Sequence, residues 1–456
     1  MSSRAMTLTH ANQLVGRPSW RCLDVVAVSL FLAVLGTMSW WLYQHRPIAG
    51  PATADRWALA SYRDATYYPL LAVRDGVNPY DTVRDGDPQR YMQRYPVGDT
   101  FPLYSPLILM VFAPLAALPV DASMVAFTVL NVVLMVLLVR IALRAVGRPA
   151  NVAALFGFSA LLLASQPGRA AFNSGQVALP LALAIVGALN WGDRHVWRSV
   201  VLVAFTTMKV TFGGPLGLLL MARRDWRSAL GGFVLGGILG GLGLLVIAAR
   251  SGDLSVERMG AVLARNQSDF SVDPTVVPQT NKARIDLVAA AEHLVDHPLP
   301  SWAAPLVALA VLGITAGILW RASRSSPVES AVTTTSALAI LAMNICIYHN
   351  VYDLPLLVVP IAACATAAHP TWSSIAPAWR WSVLALLVLP FVNVFWGVNF
   401  RSLLAHANIV WGSSDSIVGQ CLFRLICAAN GLALFGAWVI LAVCISRRSV
   451  SVPGVT

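Results

Sequence analysis

Lysine is nearly absent from this sequence. Of its 32 basic side chains only two are lysines, Lys209 and Lys282, and charged residues of all kinds make up only 12% of the 456 residues. Together with a 57% hydrophobic composition and a mean hydropathy of +0.68, that scarcity excludes an ordinary soluble globular domain. The six cysteines show no metal-ligand spacing, and Cys346, Cys364, Cys427 and Cys444 fall in apolar runs, where they count as small hydrophobes. There is no Walker A sequence, so no ATP-driven pump is indicated, and no HExxH or paired-cysteine pattern points to a metal. No row of intramembrane carboxylates suggests a proton relay.

What is there is apolar runs of membrane length. A helix needs about 20 apolar residues to cross a bilayer core, and the run from Leu23 to Gln44 is roughly 33 Å long at ~1.5 Å per residue. That exceeds a signal-peptide core, and its end near "WLYQHRPIAG" does not read as an A-x-A cleavage site, so the run is expected to be retained. The fold class is therefore all-α, a polytopic membrane protein. The net charge of +11 suits an anionic membrane surface and carries no implication of nucleic acid.

Arginine clusters are expected to face the cytoplasm. Threading the runs so that Arg17/Arg21, Arg140/Arg144/Arg148, Arg194/Arg198, Arg223/Arg224/Arg227, Arg321/Arg324, Arg380 and Arg447/Arg448 all land inside predicts about twelve hydrophobic helices with both ends cytoplasmic. The expected organisation is a cytoplasmic segment 1–22, a membrane domain 23–445 and a tail 446–456. Residues 45–121 and 250–301 form the large outer loops, the first carrying interfacial helices. Two places resist simple threading. "SPLILMVFAPLAALP", Ser105 to Pro119, holds three prolines and reads as a helix lying in the interface. The run from Ser199 to Ala222 has arginines at both ends, so it reads as two short helices that climb and descend, turning near Lys209 with help from Gly213, Gly214 and Pro215.

Four stretches carry candidate chemistry. A lysine at membrane depth is costly, and it either snorkels to the headgroups, is paired to a distant carboxylate, or is functional. At an outward-facing turn Lys209 suits a phosphate. In the first loop, Trp57, Ser61, Asp64, Tyr68 and Leu71 share a helical face, with Arg56, Arg63 and Arg74 about 100° away. Asp64 is then the single acid in an aromatic stripe, readable as a general base or as a structural aspartate paired with Arg63. Asp55, Asp75, Asp81, Asp85, Asp87 and Asp99 share that loop. In "NICIYHNVYDLP", His349 is flanked by Tyr348, Asn350, Tyr352 and Asp353, a concentration that reads as a site wall. In "AAFNSGQVALP", Asn173, Ser174, Gly175 and Gln176 read as the opening of a span, where helix N–H groups meet a phosphate or sugar or are merely capped.

The order of "YRDATYYPLLAVRDGVNPYD", "FPLYSPLILMVFAPLAALP", "NSGQVALPLALAIVGALNW", "TTMKVTFGGPLGLLLMARRDW" and "IYHNVYDLP" resembles glycosyltransferase family 87, over roughly residues 55 to 360. These are bacterial inner-membrane enzymes of the GT-C fold, including polyprenol-phosphate-mannose-dependent mannosyltransferases and related arabinofuranosyltransferases. The resemblance implies a polyprenyl-phosphate-linked sugar donor, with mannose the expected sugar, and a glycolipid or polysaccharide acceptor. It also implies an active site on the extracytoplasmic side. On this chain the implied catalytic base falls on Asp64. The implied lysine falls on Lys209, and the implied polar segment on Tyr348, His349 and Asp353. Arg63, Asn173 and Gln176 are further candidates for substrate contact, and no metal or cofactor is implied. Val210 and Thr211 intervene before Gly213 where the family commonly places proline or glycine directly after the lysine. The competing class is a lipid or glycan transporter, which would spread polar residues through the spans on both sides of the membrane.

Overall fold

The computed structural model describes residues 18–47, 53, 55–81, 91, 93–97, 104–192, 195–252, 255–272, 277, 281–325, 330–393 and 417–450. Asp85, Asp87 and Asp99 lie outside the described residues. Among the described residues the architecture is all-helical apart from two isolated bridges. That is what an apolar chain in lipid requires, because each backbone N–H and C=O must find its partner within the protein. Among the described residues five helices are long and apolar enough to cross a membrane. They are α1 (Pro18–His45), α4 (Val120–Ala145), α10 (Trp226–Ser251), α13 (Ala303–Ser325) and α18 (Ile417–Val450).

The remaining apolar helices are too short to cross singly. They are α5 (Val152–Ala164), α6 (Gln166–Ser174), α7 (Ala178–Trp191), α8 (Val196–Thr206), α9 (Val210–Ala222) and α14 (Thr334–Cys346). A 3-10 stretch Val351–Leu357 leads into α15 (Val358–Thr366), and a short α16 (Pro370–Ser373) precedes α17 (Pro377–Val392). Helices α6 and α7 meet at 119° through Gly175. The first loop contributes α2 (60–74) and α3 (Leu107–Phe112), the latter continued by a 3-10 turn Ala113–Ala117. The second loop contributes α11 (Val256–Val272) and α12 (Leu287–Val295).

Helix α10 measures the height of everything packed on it. Its glycines allow backbones to approach closely, as small residues do at helix contacts in membranes. A side chain at Gly231 or Gly232 would run into Val200 or Val203 of α8, and one at Gly236 into Thr207, just past the end of α8. Gly217 of α9 faces Phe233. Contacts with α8 thus climb along α10, whereas α9 runs back down it. Gly192 before α8 and Asp225 after α9 touch at the base. The expected hairpin of two short helices is therefore present. With 11 residues in α8, its apex stands roughly 16 Å above the base, about half the depth of a bilayer core.

Above the apex, Gly240 and Gly243 of α10 meet Ser105 and Pro106, and Gly76 meets the carbonyl of Arg250. The first loop and the 207–209 turn therefore lie toward the same end of the bundle. The chain turns at Thr207–Lys209, near Lys209 as expected, but without the expected help of Gly213, Gly214 and Pro215. Those residues are helical in α9, and Gly213 serves instead to let the hairpin close against Thr207, 3.0 Å from where a Cβ would sit.

Helix α2 corrects the amphipathic reading of the first loop. Trp57 precedes the helix, which begins at Ala60 as Ala60–Tyr62, passes through a π turn at Arg63–Tyr67 and continues as Tyr68–Arg74. The wide turn shifts the helical phase, so a regular 100° wheel fails beyond it, and every residue from Tyr62 to Leu70 is buried. Arg63, expected on a flank, is buried as well. The helix is clamped by Tyr62, whose ring stacks on Phe127 at 4.1 Å and whose hydroxyl pairs with Ser123, and by Tyr67, whose hydroxyl donates to Leu118 O at 2.9 Å.

Gly175 supports the same helix from below, with φ +72 and an added Cβ only 2.8 Å from Tyr62 Cβ. Gly175→Ala is expected to lower stability by about 1–2 kcal/mol from the left-handed backbone alone, with crowding against α2 in addition. Thermal unfolding of the purified variant checks this; an unchanged midpoint would show that the turn relaxes freely.

Candidate functional site

Lys209 occupies the N-cap of α9 in an extended conformation (φ −121, ψ 106), which swings its side chain off the apex of the hairpin. The ammonium donates to both carboxylate oxygens of Asp353, each at 3.0 Å. The side chains of the pair are 6% and 0% exposed. It is flanked by the rings of Phe212 and Tyr352, each 5.1 Å from Lys209 Nζ, and a desolvated cation over an aromatic face gains up to ~2 kcal/mol. Lys209 is thus paired with a carboxylate 144 positions away.

His349 extends this pair. Its Nδ1 lies 2.9 Å from Asp353 Oδ2, and since that carboxylate, bound to an ammonium, can only accept, Nδ1 carries the proton. Nε2 is buried and has no hydrogen-bond partner among the described residues. Phe212 packs on the imidazole with ring centroids 4.4 Å apart. Asp353 also accepts from Asn350 N at 3.3 Å, closing a capping box that starts the 3-10 stretch. Lys209, Asp353 and His349 form one chain of groups that ends at His349 Nε2. Neutral, that nitrogen accepts a proton or hydrogen bond; protonated, it donates to an anion.

The second loop holds this segment in place. Ile285 N donates to His349 O and Val351 N to Ala283 O, both at 2.9 Å, so residues 283–285 pair with 349–351 as a minimal antiparallel bridge. Arg284 lies over the Tyr348 ring at 5.0 Å and is fixed by two bonds of 2.9 Å to Asp286. Tyr348 and Tyr352 both receive hydrogens from Asn350 Nδ2 at 2.9 Å.

The first loop reaches the cluster through Tyr104 and Ser105. Ser105 N donates to Met208 O at 3.1 Å, beside Lys209. Tyr104 donates to Gln176 Oε1 at 3.2 Å, and its carbonyl accepts from the Tyr80 hydroxyl at 2.6 Å. Burial pushes the Tyr104 phenol well up, and the neighbouring Tyr348 and Asp353 push it further. Helix α3, which starts just after Ser105, packs against the π turn bearing Asp64. One short helix therefore links the two turns that carry Asp64 and Lys209.

The described acids of the first loop sit in different surroundings. Asp75 is held by Arg94 at 3.1 Å and Tyr95 at 3.0 Å. Asp81 is held by Arg258 at 2.9 Å and Arg265 at 3.0 Å, a clamp to α11. Asp55 is exposed. Asp64 is 5% exposed on the π turn, where its charge reaches Tyr91, a phenol pushed up by burial first, then by Tyr95 and Asp64. Arg63 donates from Nη2 to the Tyr68 hydroxyl at 3.1 Å and lies 5.2 Å from that ring.

Asn173 and Gln176 need correction as a helix opening. Asn173 is in the last turn of α6, Gly175 ends that helix, and the N-cap of α7 is Val177, with no side-chain cap. Because α6 is itself helical through Ser174, the polar residues close one helix instead of opening the next. Asn173 O receives Leu59 N at 2.7 Å, so its role here is to anchor the start of α2. Gln176 joins the cluster through Tyr104. The sequence reading passed over Tyr104, Phe212, Asn281 and Arg284. Their signal was faint, an aromatic beside a proline-rich run and "NKARID" in a polar loop. Among the described residues no group of three or more His, Cys, Asp or Glu side chains is arranged to hold a metal ion.

Residues 102–347, more than half of the sequence, match the family described as Glycosyltransferase family 87. The chain belongs to glycosyltransferase family 87. No curated protein and no solved structure matches it. As a member of family 87 it is a membrane glycosyltransferase, moving a sugar from a donor to an acceptor. The matched segment contains Tyr104, Asn173, Gln176 and Lys209; Asp64 precedes it, and Tyr348, His349 and Asp353 follow it.

Proposed function

We propose that this family 87 glycosyltransferase takes its sugar, mannose being the expected one, from a polyprenyl-phosphate donor. The sugar passes to a glycolipid or glycan hydroxyl at the outer face of a bacterial inner membrane. The observation that carries the reading is the buried chain Lys209–Asp353–His349, ending in an unpartnered imidazole nitrogen at the end of the bundle that also bears Asp64. A half-depth apex suits a lipid phosphate, which enters sideways from the leaflet and not from bulk water.

In this mechanism Asp64 takes the proton from the acceptor hydroxyl. The hydroxyl oxygen attacks the anomeric carbon as the bond from that carbon to the phosphate oxygen breaks. The bonding electrons leave with the phosphate, and configuration inverts. Charge then grows on the departing phosphate, where a preorganised donor is worth most. His349, protonated, donates from Nε2 to that oxygen, with Asp353 holding the imidazole and Lys209 supplying positive charge beside it. Asp353 thus serves as orienter, since its oxygens are already committed to Lys209, His349 and Asn350 N.

The test is donor class. Membranes containing the protein, supplied with labelled polyprenyl-phosphate mannose, are expected to form a labelled lipid or glycan product that membranes without the protein do not form. Equal transfer from a nucleotide-sugar in membranes unable to make the polyprenyl intermediate would overturn the reading.

A further inference from the structure

Hydrogen-bond polarity around Asn350 is forced by a backbone group in the second loop. Ala283 N–H can only donate, and it donates to Asn281 Oδ1 at 3.0 Å. That fixes the Asn281 amide, whose Nδ2 donates to Asn350 Oδ1 at 3.2 Å. The capping box demands the same orientation, since the Asn350 side chain accepts from the backbone of Asp353. Asn350 Nδ2 must then donate, and it does so to both the Tyr348 and Tyr352 hydroxyl oxygens at 2.9 Å. Each phenol is thereby an acceptor toward Asn350 and keeps its own proton to donate. At most one of those protons is used between the two rings.

The surroundings share this character. Gln176 Oε1 accepts from Tyr104, which leaves the Gln176 NH2 as donor. Asp353 is committed to Lys209, His349 and Asn350 N, and Asp286 to Arg284 and Ala289 N. Tyr104, Tyr348, Tyr352 and Gln176 are half-buried, whereas Asn350 and Asp353 behind them are buried. Neutral donors on aromatic rings, with no uncommitted acid among these groups, suit an oxygen-rich uncharged ring, whereas the anion is served by the cationic groups alongside.

We propose that Tyr348 and Tyr352, with Tyr104 and Gln176, form the subsite for the donor's sugar ring, and that the Ala283–Asn281–Asn350 relay sets their hydroxyls as hydrogen-bond donors to it. This rests on the polyprenyl-phosphate reading of the neighbouring cluster and adds to it how the sugar itself is recognised. Tyr352→Phe keeps the ring beside Lys209 and removes only the hydroxyl.

The experiment measures binding, without turnover, of a synthetic short-chain polyprenyl phosphate with and without a mannosyl group to purified protein in nanodiscs. Wild type is expected to bind the mannosylated ligand more tightly. Tyr352→Phe and Tyr348→Phe are each expected to weaken that ligand by about two- to tenfold, the range of a neutral hydrogen bond, and to leave the bare phosphate unchanged. Equal weakening of both ligands would make the contact one to phosphate and overturn the subsite. So would a variant preference for the mannosyl group as large as wild type's, or no preference in wild type. A protein that shows the expected binding pattern but transfers no sugar would fail the catalytic reading alone.

Discussion

Asp64→Asn is expected to lower sugar transfer by about 10²–10⁴-fold, the usual contribution of a positioned general base, while the protein still folds. Asparagine matches aspartate in size, so the π turn at Arg63–Tyr67 and the clamps of Tyr62 and Tyr67 persist. What is lost is the lone pair that takes the acceptor's proton. Asp75 and Asp81 are each held by basic or phenolic donors. Initial rates with saturating donor, together with the thermal midpoint of the variant, provide the check. Turnover within a few-fold of wild type would remove Asp64 from the base role.

Lys209→Met is expected to cost about 3–5 kcal/mol of stability as well as activity, because removing one partner leaves a buried charge uncompensated. Asp353 is fully buried, and in Lys209→Met its carboxylate keeps only His349 and a backbone N–H. The double variant Lys209→Met, Asp353→Asn removes both charges at once and is expected to regain most of the lost stability. Transfer should stay abolished, since neither the cation nor the carboxylate that holds His349 remains. Thermal unfolding in nanodiscs and transfer assays on the single and double variants separate the two effects. Full activity in the double variant would reduce the pair to a structural strut, the other meaning a membrane lysine can have.

Much of the helical architecture was legible in the sequence. A run such as 228–249 has to be a helix in lipid, and the observed Trp226–Ser251 differs only at its ends. The hairpin at Lys209 was legible for a different reason: arginines flank both ends of a run too short for two full spans, and a single span would leave one cluster outside. The part played by Gly213, Gly214 and Pro215 was not, because these are permissive residues. Pro215 is accommodated in the second turn of α9, and the tight approach of Gly213 to Thr207 is a matter of packing.

The first loop misled for a related reason. The periodic argument assumes 3.6 residues per turn, and one π turn at Arg63–Tyr67 breaks that phase where it mattered. The face of α2 that stays dry is decided by Phe127, Ser123 and Gly175 pressing on it, and these come from α4 and the α6–α7 turn. The same holds for Asn173, whose place in a helix end depends on α6 being helical, a fact its polar composition hides.

Taken alone, the sequence determined that the chain is a many-helix membrane protein with a rare cation at a break in an apolar run and chemistry-bearing residues gathered in its loops. Those properties follow from local composition and from the cost of unsatisfied backbone in lipid, which act over a few turns of chain. Only the tertiary structure decided that Lys209 meets Asp353 across 144 positions, that the resulting chain ends at His349 Nε2, and that Ala283 sets the direction of the hydrogen bonds at Tyr348 and Tyr352. Partner choice among distant polar groups depends on which helices pack together and on which donors remain to be satisfied, and neither is written in the neighbourhood of any one residue.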